Sequence, residues 1–244
     1  MPLPCPTLRR LALAGLLAGS AAAAAPPSCA ARSIATAPLV IELYTSEGCS
    51  SCPPADRWLS TLTRRAEVFP LAFHVDYWDR LGWTDRFARP AWTRRQYANA
   101  ARNAGGGVYT PQVLVNGRDH RRWPSLPAAD AAATVGVELA RDGPDYVARV
   151  VRRPGAPPRL AAYWAVTEDG HVSQVRSGEN QGATLHHDAV VRELLAVATV
   201  GDAPLAFTPG SGPDAVSGPK PRQVLFVVTD AATGTPLQAV RLGC

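Results

Sequence analysis

The sequence has almost no lysine and, after its first residues, no long apolar segment. Lys220 is the only lysine, and the arginines that supply the other positive charges are spread along the chain instead of forming a run. Without a basic cluster, nucleic-acid binding is not indicated. No later stretch reaches the roughly 20 apolar residues of a membrane helix. We therefore expect no membrane span in the mature protein.

The N-terminal segment has the three-part pattern of an export signal. Arg9 and Arg10 are followed by an uncharged run over 11–19 and by alanines at 21–25. This pattern predicts a secretory signal peptide over 1–25 and a periplasmic or extracellular protein. Removing both arginines would lower the formal net charge from +5 to about +3. A hydrophobic fraction of 46% allows a real core, so disorder is not indicated.

Cysteines are few, and their positions are informative. Of the five, Cys5 leaves with the predicted signal peptide, and four remain in an oxidising compartment. Cys29 and Cys244 lie near opposite ends of the mature chain. Because chain termini are often close together in space, this pair is predicted to form a structural disulfide.

The other two cysteines, Cys49 and Cys52, form a C-x-x-C sequence. An apolar stretch over 38–44 predicts a strand before them, and Pro53-Pro54 opens a segment with helical apolar spacing after them. Both sulfurs would lie at a helix N-terminus, where unpaired N–H groups and the macrodipole favour a thiolate. Cys49 is thus predicted to be the reactive and more exposed sulfur.

Other interpretations of the C-x-x-C compete with a redox site. Half of a zinc site would need two more ligands, but the sequence has no second C-x-x-C, and neighbouring His186 and His187 are poorly spaced to share one ion. We therefore expect no metal and no cofactor. A disulfide that only staples the turn, or reduced thiolates that bind Cu(I), remain open alternatives.

Further along, the pattern continues as strand, helix and strand. A second strand is predicted over 68–77, where His74 and Asp76 share a face and are expected to form a hydrogen-bonded pair rather than a metal or proton-relay site. A helix is predicted over 84–103, broken or kinked at Pro90. The strand that follows begins near Pro111 and closes in an Asn116-Gly117 hairpin turn.

From residue 134 onward, apolar and polar residues alternate between turn signals. Short strands at this spacing predict a mostly antiparallel, sandwich-like arrangement. We assign 189–200 to a strand, 210–221 to a loop, and 223–229 and 237–242 to closing strands. The expected fold is an α/β domain over 38–130 followed by a β-rich domain over 134–244.

The segment V-Y-T-P-Q-V-L-V-N-G strengthens the redox interpretation. Its Thr110-Pro111 peptide, after Tyr109, resembles the cis-proline loop of the thioredoxin superfamily, which lies against the C-x-x-C and offers backbone groups to an extended substrate. Locally, E-L-Y-T-S-E-G-C-S-S-C and T-P-Q-V-L-V-N-G resemble glutaredoxins. The glutathione-binding G-G-x-x-D of glutaredoxins is replaced here over 117–122, so the resemblance does not imply glutathione specificity.

Four segments together resemble one family over most of the chain, from about residue 38 to near the C-terminus. They are V-I-E-L-Y-T-S-E-G-C-S-S-C-P-P-A-D, F-H-V-D-Y-W-D-R-L-G-W, V-Y-T-P-Q-V-L-V-N-G and G-E-N-Q-G at 178–182. The family is that of exported bacterial proteins called domain of unknown function 1223. The resemblance implies export and a thioredoxin-like α/β domain, but no substrate. The glycine-flanked 178–182 segment suits either a tight loop or a ligand contact.

The sequence therefore predicts a thiol–disulfide oxidoreductase that acts on a protein or small-molecule thiol. Cys49 would be the nucleophile, Cys52 the resolving thiol and Pro111 the residue that positions the substrate. The aromatic residues Trp78, Trp83 and Tyr109 would line an apolar substrate groove, unless they pack the core. Thr110 would bind the substrate through its backbone groups, as the resemblance implies. Because thioredoxins use an acidic residue on this strand, the resemblance makes Glu42 a candidate proton acceptor. A glutamate that is paired with an arginine or points out at a strand end is the favoured interpretation. The rival function is a non-catalytic binding module.

Overall fold

The computed structural model describes Met1 and residues 29–103, 106–210 and 219–244; apart from Met1, the predicted signal peptide lies outside the described residues. Within these ranges the helices are α1 (Pro53–Leu62) and α2 (Pro90–Arg102), with a short 3-10 helix at Asp79–Leu81. The strands are β1 (Ala30–Arg32), β2 (Leu39–Thr45), β3 (Val68–His74), β4 (Gln112–Val115), β5 (Arg118–Asp119), β6 (Val135–Asp142), β7 (Asp145–Arg152), β8 (Leu160–Glu168), β9 (His171–Gln174), β10 (Thr184–His187), β11 (Val190–Val197), β12 (Leu205–Phe207), β13 (Arg222–Asp230) and β14 (Pro236–Leu242).

The largest element is an eight-stranded sheet in the order β14-β13-β8-β11-β3-β2-β4-β5. β2 and β3 are parallel and are connected through α1, which confirms the predicted βαβ unit. β11 pairs with β3 in parallel, and the remaining neighbours in this sheet are antiparallel. Every residue of β2 and β3 is buried, as the nearly continuous apolar runs of these strands predict.

The two helices cover opposite faces of β2 and β3. Leu59 on α1 packs in one cluster with Ile41 and Leu43, whereas Trp92 on α2 packs in another with Tyr44 and Phe73. This division follows from the two-residue period of a strand, which sends successive side chains to opposite faces. The predicted helix over 84–103 begins only at Pro90, because the fixed φ of proline suits the first helical turn.

A smaller sheet, β1-β6-β7-β12, packs against the C-terminal strands of the large one. Trp164 on β8 lies at the centre of this core, stacked on Phe207 at 5.3 Å and tilted against Phe226 at 4.5 Å between ring centroids. β6 and β7 form an antiparallel hairpin, and β9 and β10 form a separate two-stranded ribbon. The strand predicted over 189–200 is confirmed as β11, and the Asn116-Gly117 turn joins β4 to β5.

The predicted fold class, an α/β thioredoxin-like domain followed by a β-rich domain, is wrong. The chain is mostly β, with strands far outnumbering the two α-helices of its described part. The reason is nonlocal pairing: β8 and β11 extend the sheet beyond β3, where local sequence patterns predict only a small α/β unit. The division into 38–130 and 134–244 stays a prediction, and strands from both ranges share the large sheet. In the described ranges, neither helix is long and apolar enough to cross a membrane.

Candidate functional site

The C-S-S-C sequence lies in the turn between β2 and α1. Pro53 and Pro54 occupy the first turn of α1, with Cys52 immediately before it, and the Cys52 carbonyl accepts from Ala55 N–H at 2.9 Å and Asp56 N–H at 3.2 Å. Cys49 N–H donates to the Ser46 carbonyl at 3.1 Å, which tightens the preceding turn. The two cysteines are thereby held at a helix start.

Cys49 and Cys52 form a disulfide, with 5.4 Å between their Cα atoms. Both residues are 0% exposed, so the expectation that Cys49 is the more exposed sulfur is wrong. Ser50 and Ser51, between them, are exposed. The Ser51 hydroxyl lies 3.4 Å from Cys49 Sγ. The disulfide therefore lies just beneath a polar surface.

The Thr110-Pro111 loop lies against this turn, and its X-Pro peptide is cis. Ser51 Oγ contacts the Thr110 carbonyl oxygen at 3.5 Å, and Trp78 Nε1 donates to Thr110 Oγ1 at 2.8 Å. Trp78 also lies close to Gly48, where an added Cβ would come within 3.1 Å of the Trp78 Cβ. Four of the predicted site residues, Cys49, Cys52, Thr110 and Trp78, are thus linked to one turn, with Pro111 following Thr110.

The 177–182 loop, which connects β9 to β10, lies over the other side of the turn. Glu179 Oε2 accepts from Ser50 N–H at 3.0 Å and from Ser50 Oγ at 2.8 Å, and these bonds hold the pKa of Glu179 below its usual range. Asn180 Nδ2 donates to the carbonyls of Glu47 and Cys49, each at 2.9 Å. The sequence did not decide between a tight loop and a ligand contact for 178–182. In the structure this segment contacts the protein's own C-S-S-C turn.

Glu42 is not brought to the disulfide. Its carboxylate lies on the α2 face of β2, where it accepts from Arg95 Nη2 at 2.6 Å, Tyr44 Oη at 2.6 Å and Asn99 Nδ2 at 3.0 Å. Burial alone would raise the pKa of Glu42, but the Arg95 charge and these hydrogen bonds outweigh burial and lower it. The geometry corresponds to the arginine-paired glutamate that the sequence favoured.

The remaining predicted site residues have other partners. Tyr109 Oη donates to Asp119 Oδ1 at 2.7 Å, and partial burial together with this carboxylate raises the pKa of Tyr109 to about 12. Cys29 and Cys244 form a second disulfide, with 6.1 Å between Cα atoms. His74 and Asp76 do not pair with each other: His74 contacts Asp85, and Asp76 accepts from a threonine hydroxyl.

A cluster of buried polar residues lies behind the C-S-S-C turn. Asp56, His74 and His187 each offer one ligand atom, and these atoms lie within 4.8 Å of one another. Asp85 Oδ2 contacts His74 Nδ1 at 2.7 Å and accepts from Glu47 N–H at 2.8 Å. Within the described part of the chain, Asp56, His74 and His187 are the one group of three potential metal ligands this close together.

A cavity of about 370 Å³ lies elsewhere in the molecule. It is lined by residues of β2, α2 and the β4–β5 and β13–β14 turns, including Glu42, Arg95, Arg102 and Arg118. Neither Cys49 nor Cys52 lines it. We therefore place the candidate site at the Cys49–Cys52 disulfide rather than at this cavity.

Sequence reasoning missed three residues around the turn: Glu179, Asn180 and Asp85. The glycines at 178 and 182, both with positive φ, were the signal for the loop that carries the first two. Asp85 falls within the predicted helix over 84–103 but lies before α2, and its contact with His74 depends on a chain reversal through the 3-10 helix. Contacts between side chains from distant segments leave no pattern in the local sequence.

Comparisons with known proteins come from solved structures and from a family model. An X-ray crystal structure of a protein from Agrobacterium tumefaciens is similar at a TM-score of 0.59 and 29% identity, covering 84% of this chain and 93% of that one. HBP35 of Porphyromonas gingivalis is similar at a TM-score of 0.56 and 16% identity, covering 86% of this chain and 76% of that one, a likeness of fold alone. No curated protein matches the chain. A family model matches residues 40–228, and the chain therefore belongs to the family described as protein of unknown function (DUF1223).

Proposed function

We propose that this protein is a thiol–disulfide oxidoreductase that acts on a protein or small-molecule thiol. The observation that carries the proposal is the Cys49–Cys52 disulfide at the start of α1, with the Thr110-Pro111 loop against it. Peptide N–H groups at a helix start stabilise a thiolate, and a stabilised thiolate is a good leaving group in disulfide exchange. A disulfide in the middle of a strand would lack this advantage.

The reaction transfers two electrons through a mixed disulfide. A substrate thiolate attacks Cys49 Sγ, the Cys49–Cys52 bond breaks, and Cys52 leaves as a thiolate at the start of α1. A second substrate thiolate then attacks the substrate sulfur of the mixed disulfide and releases Cys49 as a thiolate. The substrate dithiol becomes a disulfide, and its two protons pass to solvent or to the two cysteines. Reduction of a substrate disulfide follows the same steps in reverse.

The neighbouring groups have separate roles in this proposal. Thr110 would offer backbone contacts to an extended substrate segment, and Trp78, which holds the Thr110 side chain, would supply an apolar surface beside it. The 177–182 loop would move away from Ser50 and Cys49 to admit the substrate, because both sulfurs are buried beneath it.

The test is exchange with a model dithiol, followed by trapping of the mixed disulfide. Oxidised protein should oxidise a reduced peptide dithiol, and Cys49→Ser should abolish this activity. With a peptide disulfide as the substrate, reduced Cys52→Ser should instead accumulate a mixed disulfide through Cys49, because the thiol that would release the substrate is missing. The matched control is Cys29→Ser with Cys244→Ser, which removes the other disulfide and should leave exchange intact. Normal turnover by Cys49→Ser would refute the proposal.

A second candidate is a disulfide that only staples the turn, and complete burial of both cysteines favours it. A redox titration separates the two functions. A structural disulfide has a potential below about −300 mV, whereas a working oxidoreductase lies above that value. Metal analysis of the reduced protein tests the remaining alternative, Cu(I) held by the two thiolates.

We also propose that the protein works outside the cytosol. Its two disulfides support this, because disulfides persist in oxidising compartments and are rare in the cytosol. Detection of the mature protein in a periplasmic or extracellular fraction, with an N-terminus near residue 26, would test the predicted signal peptide. An intact N-terminus in the cytosolic fraction would contradict it.

A further inference from the structure

We propose that Asp56, His74 and His187 form a binding site for a divalent transition-metal ion of the zinc class. The three residues come from α1, β3 and β10, and one ligand atom of each lies within 4.8 Å of the other two. All three are buried, with exposed fractions of 6%, 0% and 2%. Their convergence is thus a feature of the folded core rather than of a flexible surface.

The hydrogen bonds of Asp85 determine which nitrogen of His74 is free. Asp85 accepts from the N–H groups of Glu47 and Phe87, at 2.8 and 2.9 Å, which identifies it as a carboxylate acceptor. His74 Nδ1, 2.7 Å away, must then carry the proton that Asp85 accepts. In the neutral imidazole His74 Nε2 keeps its lone pair, and it has no hydrogen-bond partner within the described part of the chain. A carboxylate behind a histidine is the usual support for a metal ligand.

His187 presents a second buried imidazole. Its ring lies 4.9 Å from the His74 ring between centroids, nearly perpendicular to it. Among the described residues Nδ1 has no hydrogen-bond partner, and Nε2 has Glu47 Oε1 at 3.4 Å as an electrostatic neighbour. Since buried polar atoms are normally satisfied, nitrogens without hydrogen bonds on two neighbouring buried imidazoles point to a ligand between them. His186 on the same strand is exposed, as strand alternation requires.

Asp56 supplies the carboxylate of the site. The Thr45 hydroxyl donates to Asp56 Oδ2 at 3.0 Å and fixes the orientation of the carboxyl group. Three buried acidic residues, Glu47, Asp56 and Asp85, surround the two imidazoles. A bound dication would offset part of this buried negative charge, which otherwise disfavours the folded state.

The donor set selects the class of metal. Two imidazoles and one carboxylate suit zinc and its first-row neighbours, whereas calcium and magnesium prefer oxygen ligands throughout. Zinc–nitrogen and zinc–oxygen distances of about 2.0–2.2 Å require the ligand atoms to approach to about 3.3 Å in a tetrahedral site. Side-chain rotations would have to close the remaining distance, and a water or substrate atom would complete the coordination.

A route from solvent to the site is present. A cavity of about 80 Å³ is lined by Asp56 and His187 and by residues that are exposed at the surface, among them Arg57, Thr184 and His186. This cavity would bring a metal ion to two of the three ligands without unfolding of the core. An entry path of this kind is one of the features expected of a metal site.

The experiment is calorimetric titration of Zn²⁺ into oxidised, untagged protein. Oxidation keeps Cys49 and Cys52 in their disulfide, so any binding is independent of the thiols and of the proposed exchange activity. We expect one ion per chain. Loss of a residue that only supports a ligand weakens metal binding by up to about 100-fold. His187→Asn and Asp56→Asn remove ligands themselves, and each should weaken Zn²⁺ binding by more than this. Asp85→Asn should weaken it by about 10- to 100-fold.

The matched control is His186→Asn, which removes the neighbouring exposed imidazole and should leave the affinity unchanged. NMR of the imidazole nitrogens in unmutated protein adds a test that does not depend on variant folding. Zn²⁺ should shift the nitrogen resonances of His74 and His187 and leave those of His186 and His120 in place. No binding by the unmutated protein, equal loss in His186→Asn, or shifts at His186 alone would each overturn the proposal.

Discussion

Glu42 is a charged residue in a buried strand, and its neighbours explain how the fold accommodates it. Arg95 approaches it through two hydrogen bonds, at 2.6 and 3.1 Å, and Tyr44 and Asn99 supply further donors. Removing one partner of such a pair leaves the other charge buried without compensation, which costs far more than the pair contributes as a whole. Glu42 is therefore a residue of structural importance rather than a member of the disulfide site.

Glu42→Gln is expected to lower the free energy of unfolding by about 3 kcal/mol at neutral pH, the lower end of the range for breaking a buried pair. The lower end applies because the Arg95 side chain remains 21% exposed and can be partly solvated. Urea denaturation measures the difference. Glu67→Gln is the control, because the Glu67–Arg65 pair is largely solvated and should change stability by less than about 1 kcal/mol. Equal losses in the two variants would contradict the assignment.

Glu42 also makes the free energy of unfolding depend on pH, and the direction of its pKa shift gives the sign. Because its folded-state pKa lies below the usual 4.5, the stabilisation by Glu42 is fully present above that value. It is lost as the pH falls through the lowered folded-state pKa. The stability difference between unmutated protein and Glu42→Gln should therefore be constant near neutral pH and shrink below about pH 4.5.

At the scale of elements, local patterns predicted strands and turns well and predicted their partners poorly. β2, α1 and β3 follow from apolar period and proline position, and the Asn116-Gly117 turn follows from its need for positive φ at both residues. The insertion of β11 between β3 and β8 depends on shape and burial across distant segments. The contact of Asn180 with the Cys49 carbonyl has the same nonlocal origin.

The 177–182 loop controls access to the disulfide if the proposed exchange takes place there. Asn180→Ala removes two hydrogen bonds to the turn, each with a net value of about 0.5–1.5 kcal/mol. Opening of the loop should become easier, and reduction of Cys49–Cys52 by a small dithiol should accelerate by about tenfold. Timed alkylation with mass spectrometry measures the rate. Gln181→Ala, an exposed position in the same loop, should reduce at the unmutated rate. An unchanged rate for Asn180→Ala would mean that thiols reach the disulfide by another route.

At the scale of the whole molecule, the two ends of the described chain are joined. β1 pairs with β6 in the smaller sheet, and β14 forms the edge of the large sheet, so Cys29 and Cys244 meet where the two sheets adjoin. Arg141 Nη1 donates to the Cys244 carbonyl at 2.5 Å, and Arg141 N–H donates to the Cys29 carbonyl at 2.9 Å. The disulfide thus closes the chain over nearly its entire described length.

This closure should stabilise the fold without taking part in exchange. Cys29 and Cys244 are 215 residues apart in sequence, and a cross-link that closes so long a loop restricts the unfolded chain strongly. A native disulfide typically contributes about 2–4 kcal/mol to the free energy of unfolding. Cys29→Ser with Cys244→Ser should lower the free energy of unfolding by that amount, measured by urea denaturation without reductant. The equilibrium potential of Cys49–Cys52 should stay unchanged, because the two disulfides lie on different elements. A shift of that potential in the double variant would mean that the Cys29–Cys244 disulfide and the C-S-S-C turn are coupled through the large sheet. The assignment of one structural and one redox disulfide would then fail.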